Sequence, residues 1–164
     1  MRIILPETKD HPVVNIATTR DQYNRSWQQS SDLFNNENGF MCTLPLLVEY
    51  ASLLVSGKEI YTEEGKKLFS PERTDLLKDI TEQRDPYRAE CLDARYQTRN
   101  NQRHITYHKF DSSGKLVEIT EPLDADTLMQ DRAPGINIED WLKNPTSQGL
   151  PRKNIQSGNL RYWF

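Results

Sequence analysis

Between Thr43 and Gly57 the chain reads Leu44-Pro45-Leu46-Leu47-Val48-Glu49-Tyr50-Ala51-Ser52-Leu53-Leu54-Val55-Ser56, and no other stretch constrains the fold as strongly. Leu44, Leu47, Val48, Ala51, Leu54 and Val55 recur at helical spacing, while Leu46, Tyr50 and Leu53 carry apolar surface around the cylinder. Thr43 is a good N-cap, Pro45 falls in the first turn where its missing N–H costs nothing, and Gly57 supplies a stop. A helix apolar on nearly all sides must be covered on nearly all sides. The pattern therefore predicts a buried central helix over about residues 43–56.

The remaining sequence is polar. Only 35% of the 164 residues are hydrophobic and the mean hydropathy is −0.80, so the core is small and the loops are long. Ile3-Ile4-Leu5 and Val13-Val14-Asn15-Ile16 lie beside Pro6 and Pro12 and read as edge strands, because proline cannot donate to a ladder. Tyr23, Trp27 and Phe34 suggest a loosely amphipathic helix within Asp21–Phe34. Lys58 to Leu68 reads as a hairpin turning at Glu63-Glu64-Gly65-Lys66. A second amphipathic helix is expected over about residues 71–83, with Ser70 as its cap, Pro71 in its first position and Leu76, Leu77 and Ile80 as its stripe. His104–Phe110 and Lys115–Glu121 form the best strand pair. A three-residue loop with Gly114 left-handed sets Phe110 against Leu116, His108 against Glu118 and Tyr107 against Ile119. Asn137 caps a short helix over Ile138–Leu142. Together these elements predict one α+β domain over residues 1–164, with antiparallel strands including 103–121.

Charge and cysteine content narrow the function classes. With 21 basic and 24 acidic residues the chain carries −3 and a pI near 5.7, which argues against a general nucleic-acid or anionic-membrane binder. No apolar run approaches the roughly 18–20 residues that span a bilayer. The opening Met1-Arg2-Ile3-Ile4-Leu5-Pro6 breaks off before a secretory core is complete, so a cytoplasmic or virion-associated protein is expected. Cys42 and Cys91 make neither a disulfide scaffold nor a cysteine-based zinc site. No cofactor or metal is expected. His104 and His108, four residues apart on a strand, are separated by roughly 13 Å. Asp124-Ala125-Asp126 with Asp131 reads as an acidic loop, because Leu128 and Met129 stand where a calcium loop needs an oxygen ligand and a glycine.

Three segments carry candidate chemistry. Cys42 precedes the central helix, where a helix N-terminus would lower a thiol pKa; with His11, His104 or His108 as base this is the outline of a small thiol-dependent hydrolase. A small hydrophobe at the helix entry explains Cys42 as well. Arg95, Arg99 and Arg103 around Tyr96 form the one locally basic stretch, suited to an RNA-binding accessory protein or simply to a solvated strand end. Tyr162, Trp163 and Phe164 cannot all face inward from one strand, so the strand is sandwiched or a ring is open to a partner. No G-x-S-x-G or Walker loop occurs. The leading expectation is a non-enzymatic binding or scaffold domain that presents a surface to a protein partner, with Tyr162, Trp163 and Phe164 as the contact.

Gly39-Phe40-Met41 running into Thr43-Leu44-Pro45, and Arg84-Asp85-Pro86-Tyr87-Arg88-Ala89-Glu90 before Leu92-Asp93-Ala94, form a pattern with a wider likeness. With Ile138-Glu139-Asp140-Trp141-Leu142, Gly149-Leu150-Pro151 and Leu160-Arg161-Tyr162-Trp163, it resembles the scaffold part of archaeal and phage-like variable proteins diversified by retroelements. The resemblance spans most of Gly39–Phe164 and implies a C-type-lectin-like fold used for binding. In such proteins the hypervariable ligand-binding segment follows the Tyr-Trp motif. This sequence stops at Phe164, so no binding residue carries over.

Overall fold

The computed structural model describes residues 1–18, 25–37, 39–82, 92–130 and 134–162, which form an α+β fold. Strands β1 (Arg2–Leu5) and β2 (Val14–Ala17) precede helices α1 (Trp27–Asn36), α2 (Leu44–Val55) and α3 (Ser70–Thr81). Then come β3 (Arg95–Arg99), β4 (Gln102–Phe110) and β5 (Leu116–Pro122), followed by β6 (Gly135–Ile136), α4 (Ile138–Lys143) and β7 (Leu160–Arg161). Among the described residues no helix is long and apolar enough to cross a membrane.

Helix α2 is the predicted central helix. Thr43 is extended and its Oγ1 accepts the Leu46 N–H at 3.4 Å, while Gly57 takes the left-handed conformation just beyond the end. Leu46, Tyr50 and Leu54 pack with Ile3, Leu5, Val14, Ile60 and Leu68. Leu44 joins Ile105, Tyr107 and Leu150. Leu47 and Val48 pack against a third group, Leu128, Ile136 and Trp141. One helix thus forms part of three apolar clusters, and along it only Pro45 in the first turn and Val55 at the end are exposed. Arg73 of α3 closes that end, donating to the carbonyls of Leu53, Leu54 and Lys58 at 2.8–3.3 Å.

Helix α3 starts one residue earlier than expected. Phe69, not Ser70, occupies the cap position, and the Glu72 carboxylate accepts the Phe69 N–H at 2.9 Å in place of a capping side chain. Leu76, Leu77 and Ile80 face the first cluster as the stripe requires. Of the helix expected within Asp21–Phe34, residues 21–24 lie outside the described residues. The observed α1 begins after Ser26, which forms a capping box with Gln29. Asn137 caps α4 through the Asp140 N–H at 3.0 Å.

The strand at β1 is not an edge. It pairs with β2 on one side, and on the other the Ile4 N–H donates to the Tyr61 carbonyl at 3.0 Å and the Glu63 N–H to the Arg2 carbonyl at 3.1 Å. Pro6 lies past the end of the strand, so its missing N–H removes nothing from either ladder. The hairpin at 60–68 and the β4–β5 hairpin turn by the same chemistry. Thr62 N–H donates to Lys66 O and Asp111 N–H to Lys115 O, both at 2.9 Å, around three-residue loops whose third residue is Gly65 (φ 78°) or Gly114 (φ 76°). The β4–β5 register is the expected one: Phe110 opposes Leu116, Tyr107 opposes Ile119 and His108 opposes Glu118 on one face. Between β3 and β4 the chain turns on Asn100 (φ 49°) and Asn101 (φ 61°), a two-residue loop needing left-handed backbone at both positions.

The burial contrast along α2 is testable. Leu54→Ala is expected to lower the unfolding free energy in urea by about 2–5 kcal/mol, whereas Val55→Ala on the exposed side changes it by less than about 0.5 kcal/mol.

Candidate functional site on the polar face of the meander

Strands β3, β4 and β5 form an antiparallel meander in that order. Alternation sends Tyr96, Ile105, Tyr107 and Ile119 to the cluster containing Leu44 and Leu150. The opposite parity carries Arg95, Gln97, Arg99, His104, Thr106, His108, Glu118 and Thr120. Near its middle Thr106 is buried, with its Oγ1 2.7 Å from Thr120 Oγ1 and accepting from Gln97 Nε2 at 3.2 Å.

Asp93 organises one end of this face. Strand β3 begins at Arg95, opposite Thr106, so the next N–H on that edge of β4, His108, has no strand partner. The Asp93 carboxylate, only 2% exposed, replaces that partner: it accepts the His108 N–H at 2.6 Å and contacts His108 Nδ1 at 3.0 Å. Its own N–H donates to the Cys42 carbonyl at 2.9 Å, tying the entry of α2 to the sheet. His108 Nε2 has no hydrogen-bond partner among the described residues. Beside it Arg95 donates to Glu118 at 2.6 Å and its guanidinium lies 4.1 Å from the centre of the Trp27 ring. Arg95 Nε and Trp27 Nε1 are buried without an acceptor among the described residues.

This arrangement reverses the expectation for Cys42. Burial above all, and then the Asp93 charge, push its thiol up to about 12, where a helix N-terminus would have lowered it. The physical reason is orientation: Sγ donates back to the Thr43 carbonyl and packs against the first apolar cluster, while Thr43 Oγ1 takes the Leu46 amide. The three histidines have other partners. His11 sits between the Pro12 carbonyl and Glu49 (Nε2–Oε2 2.7 Å), His104 contacts the Gln102 carbonyl, and His108 contacts Asp93. Asp93 therefore joins Cys42 and His108 through a backbone bond and a carboxylate, with no hydrogen bond between thiol and imidazole.

The basic stretch is likewise divided. Arg95 and Arg99 share the polar face, but Arg103 opposes Thr98 on the other parity, with Nη1 3.4 Å from Met129 Sδ. Since Arg95 is engaged by Glu118 and Trp27, the three arginines do not make one basic patch. Tyr162 turns inward and packs against both the second and third apolar clusters. Burial first, and then the facing Tyr96 hydroxyl, hold its phenol above the usual range, while burial raises Tyr96 to about 12. Trp163 and Phe164 lie outside the described residues. In the acidic loop Asp124 accepts the Asp126 N–H at 2.9 Å, and Asp126 pairs with Lys153 at 2.8 Å and Arg152 at 3.3 Å. Asp131 lies outside the described residues.

From sequence, Trp27 had a place only on a helix face and Glu118 only opposite His108, and Asp93 had no role. A carboxylate two positions before a strand was a signal for Asp93; nothing local announced the Arg95–Trp27 contact. No protein-family model, curated protein or solved structure matches the chain.

Two measurements check this geometry. In the folded protein at pH 8, iodoacetamide is expected to label Cys42 roughly a thousandfold more slowly than an unhindered thiol, read by peptide mapping that separates it from Cys91. Labelling at the free-thiol rate would show that Sγ is open. Asp93→Ala leaves the His108 N–H buried without a partner and is expected to lower stability in urea by about 1–3 kcal/mol.

Proposed function

We propose that this chain is a non-enzymatic binding or scaffold domain that presents a surface to a protein partner. The observation carrying this reading is the outward face of the hairpin at 60–68. Tyr61 opposes Lys67, and the Leu68 N–H to Ile60 O bond sets Glu59 opposite Phe69. Ile60, Thr62 and Leu68 point inward and are buried, which leaves Glu59, Tyr61, Lys67 and Phe69 on the outside.

The polar groups of that face satisfy one another. The Tyr61 hydroxyl donates to Glu59 at 2.6 Å and the Lys67 ammonium engages the other carboxylate oxygen. Lys67 first, then Tyr61, hold the Glu59 carboxyl below its ordinary range. The two rings are left open to solvent, Phe69 at 62% and Tyr61 at 41%. Full burial of a phenylalanine side chain contributes about 1.5–3 kcal/mol, and aromatic residues are enriched at interface centres. Elsewhere the groups considered for catalysis are engaged in the fold: burial raises the Cys42 thiol, and His11, His104 and His108 contact Glu49, the Gln102 carbonyl and Asp93.

The resemblance of most of Gly39–Phe164 to the C-type-lectin-like scaffold of variable proteins supports the same reading of a binding body, for which the cytoplasm or a virion is the proposed place. A protein suits a neutralised, aromatic face better than a nucleic acid, whose phosphates call for unpaired cations.

A photo-crosslinking phenylalanine analogue at position 69 is expected to give one discrete protein adduct in cells, competed by the unlabelled chain and lost on Tyr61→Ser. The absence of an adduct, or a smear insensitive to competitor, would refute the assignment. Deleting Trp163 and Phe164 leaves β7 and Tyr162 in place; loss of the adduct in that variant would move the contact to the aromatic terminus.

A further inference from the structure

We infer that the outer edge of β5 is a second binding site, which takes an extended peptide strand with a basic residue at its centre. This goes beyond the Tyr61–Phe69 face and rests on different observations. In the sheet order β3-β4-β5, β5 has β4 on one side and no strand among the described residues on the other. The Asp111 N–H to Lys115 O bond at one end and the Leu123 N–H to Arg103 O bond at the other fix the phase of the ladder. Residues 117, 119 and 121 turn their backbone groups to β4, so those of Leu116, Glu118 and Thr120 turn outward. No hydrogen bond from those outward groups to any described residue is present. Pro122 ends the row, its carbonyl taken by Gln148 Nε2 at 2.8 Å.

The side chains flanking this edge define what fits. Val117 and Ile119 are half-buried on the core side, so an added strand would complete their cover with apolar residues at alternate positions. On the other side Glu118 stands exposed between Leu116 and Thr120. Its carboxylate pairs with Arg95 through one oxygen, leaving the other open to a cation. A second copy of this chain fits poorly. The antiparallel self-pairing that uses all three outward residues sets Leu116 against Thr120 and Glu118 against Glu118, and directly opposed like charges are destabilising. Charge thus selects a foreign strand with lysine or arginine opposite Glu118 and β-branched apolar neighbours opposite Val117 and Ile119.

Two capped peptides test this, one with the core Thr-Val-Lys-Val-Thr and one with Thr-Val-Glu-Val-Thr, each titrated into the full chain by NMR. The lysine peptide is expected to slow amide exchange at Leu116, Glu118 and Thr120 and to bind several-fold more tightly than the glutamate peptide. In the Glu118→Lys variant that preference should invert. Protection elsewhere, equal binding of both peptides, or no protection at millimolar peptide would overturn the site. Concentration-dependent protection of the same three amides without peptide would overturn the occupant in favour of a second copy. Should Glu118→Lys fail to fold, the exchange pattern and the peptide preference of the unmodified chain decide the question.

Discussion

The burial of α2 on several sides is the constraint from which the rest of the structure follows. In a chain this polar, one helix supplies surface to three groups of apolar side chains that otherwise come from distant segments: the N-terminal strands, the meander and the C-terminal turns. Both ends of that helix also meet segments from elsewhere in the chain. Gly149, left-handed, packs so closely on the first residues of α2 that an added Cβ would sit 3.1 Å from the Leu44 carbonyl carbon. Arg73 covers the last carbonyls. Loss of α2 would remove packing from all three groups, so they are coupled through it rather than stable separately.

Polar side chains do a second kind of structural job. Asp93 supplies a missing strand partner, Gln148 links the end of β5 to the C-terminal turns by bonding Glu121 and the Pro122 carbonyl, and Tyr107 donates to the same Glu121. Each joins segments that apolar contacts alone would leave free to slide, because hydrogen bonds demand particular distances and apolar packing does not. The same commitment of polar groups to the fold places the Cys42 thiol against an apolar cluster and divides the arginines between the two faces of the meander.

Local rules made much of this legible. Thr43, Pro45 and Gly57 bracket α2 by capping alone, and Gly114 sets the β4–β5 register because a three-residue loop with a left-handed third position permits one pairing. The Asn100-Asn101 turn was readable in the same way, since asparagine tolerates left-handed backbone, but the arginines on either side drew attention to charge instead. What stayed hidden depends on partners far along the chain. The interior position of β1 requires the hairpin segment around Tyr61 and Thr62, the raised Cys42 thiol requires burial and Asp93, and the division of the arginines requires the β3–β4 register. In the site, the residue types were visible while their juxtaposition was not.

The clasp made by Asp93 bears on how the molecule assembles. The turns at Gly65 and Gly114 close between near neighbours and need nothing from the rest of the chain, so both hairpins can form before any long-range order exists. Asp93, by contrast, makes both its backbone bond to the Cys42 carbonyl and its carboxylate bond to the His108 N–H only when the entrance of α2 and the far end of β4 are side by side. In the folded chain it fastens helix to sheet through one backbone bond and one carboxylate.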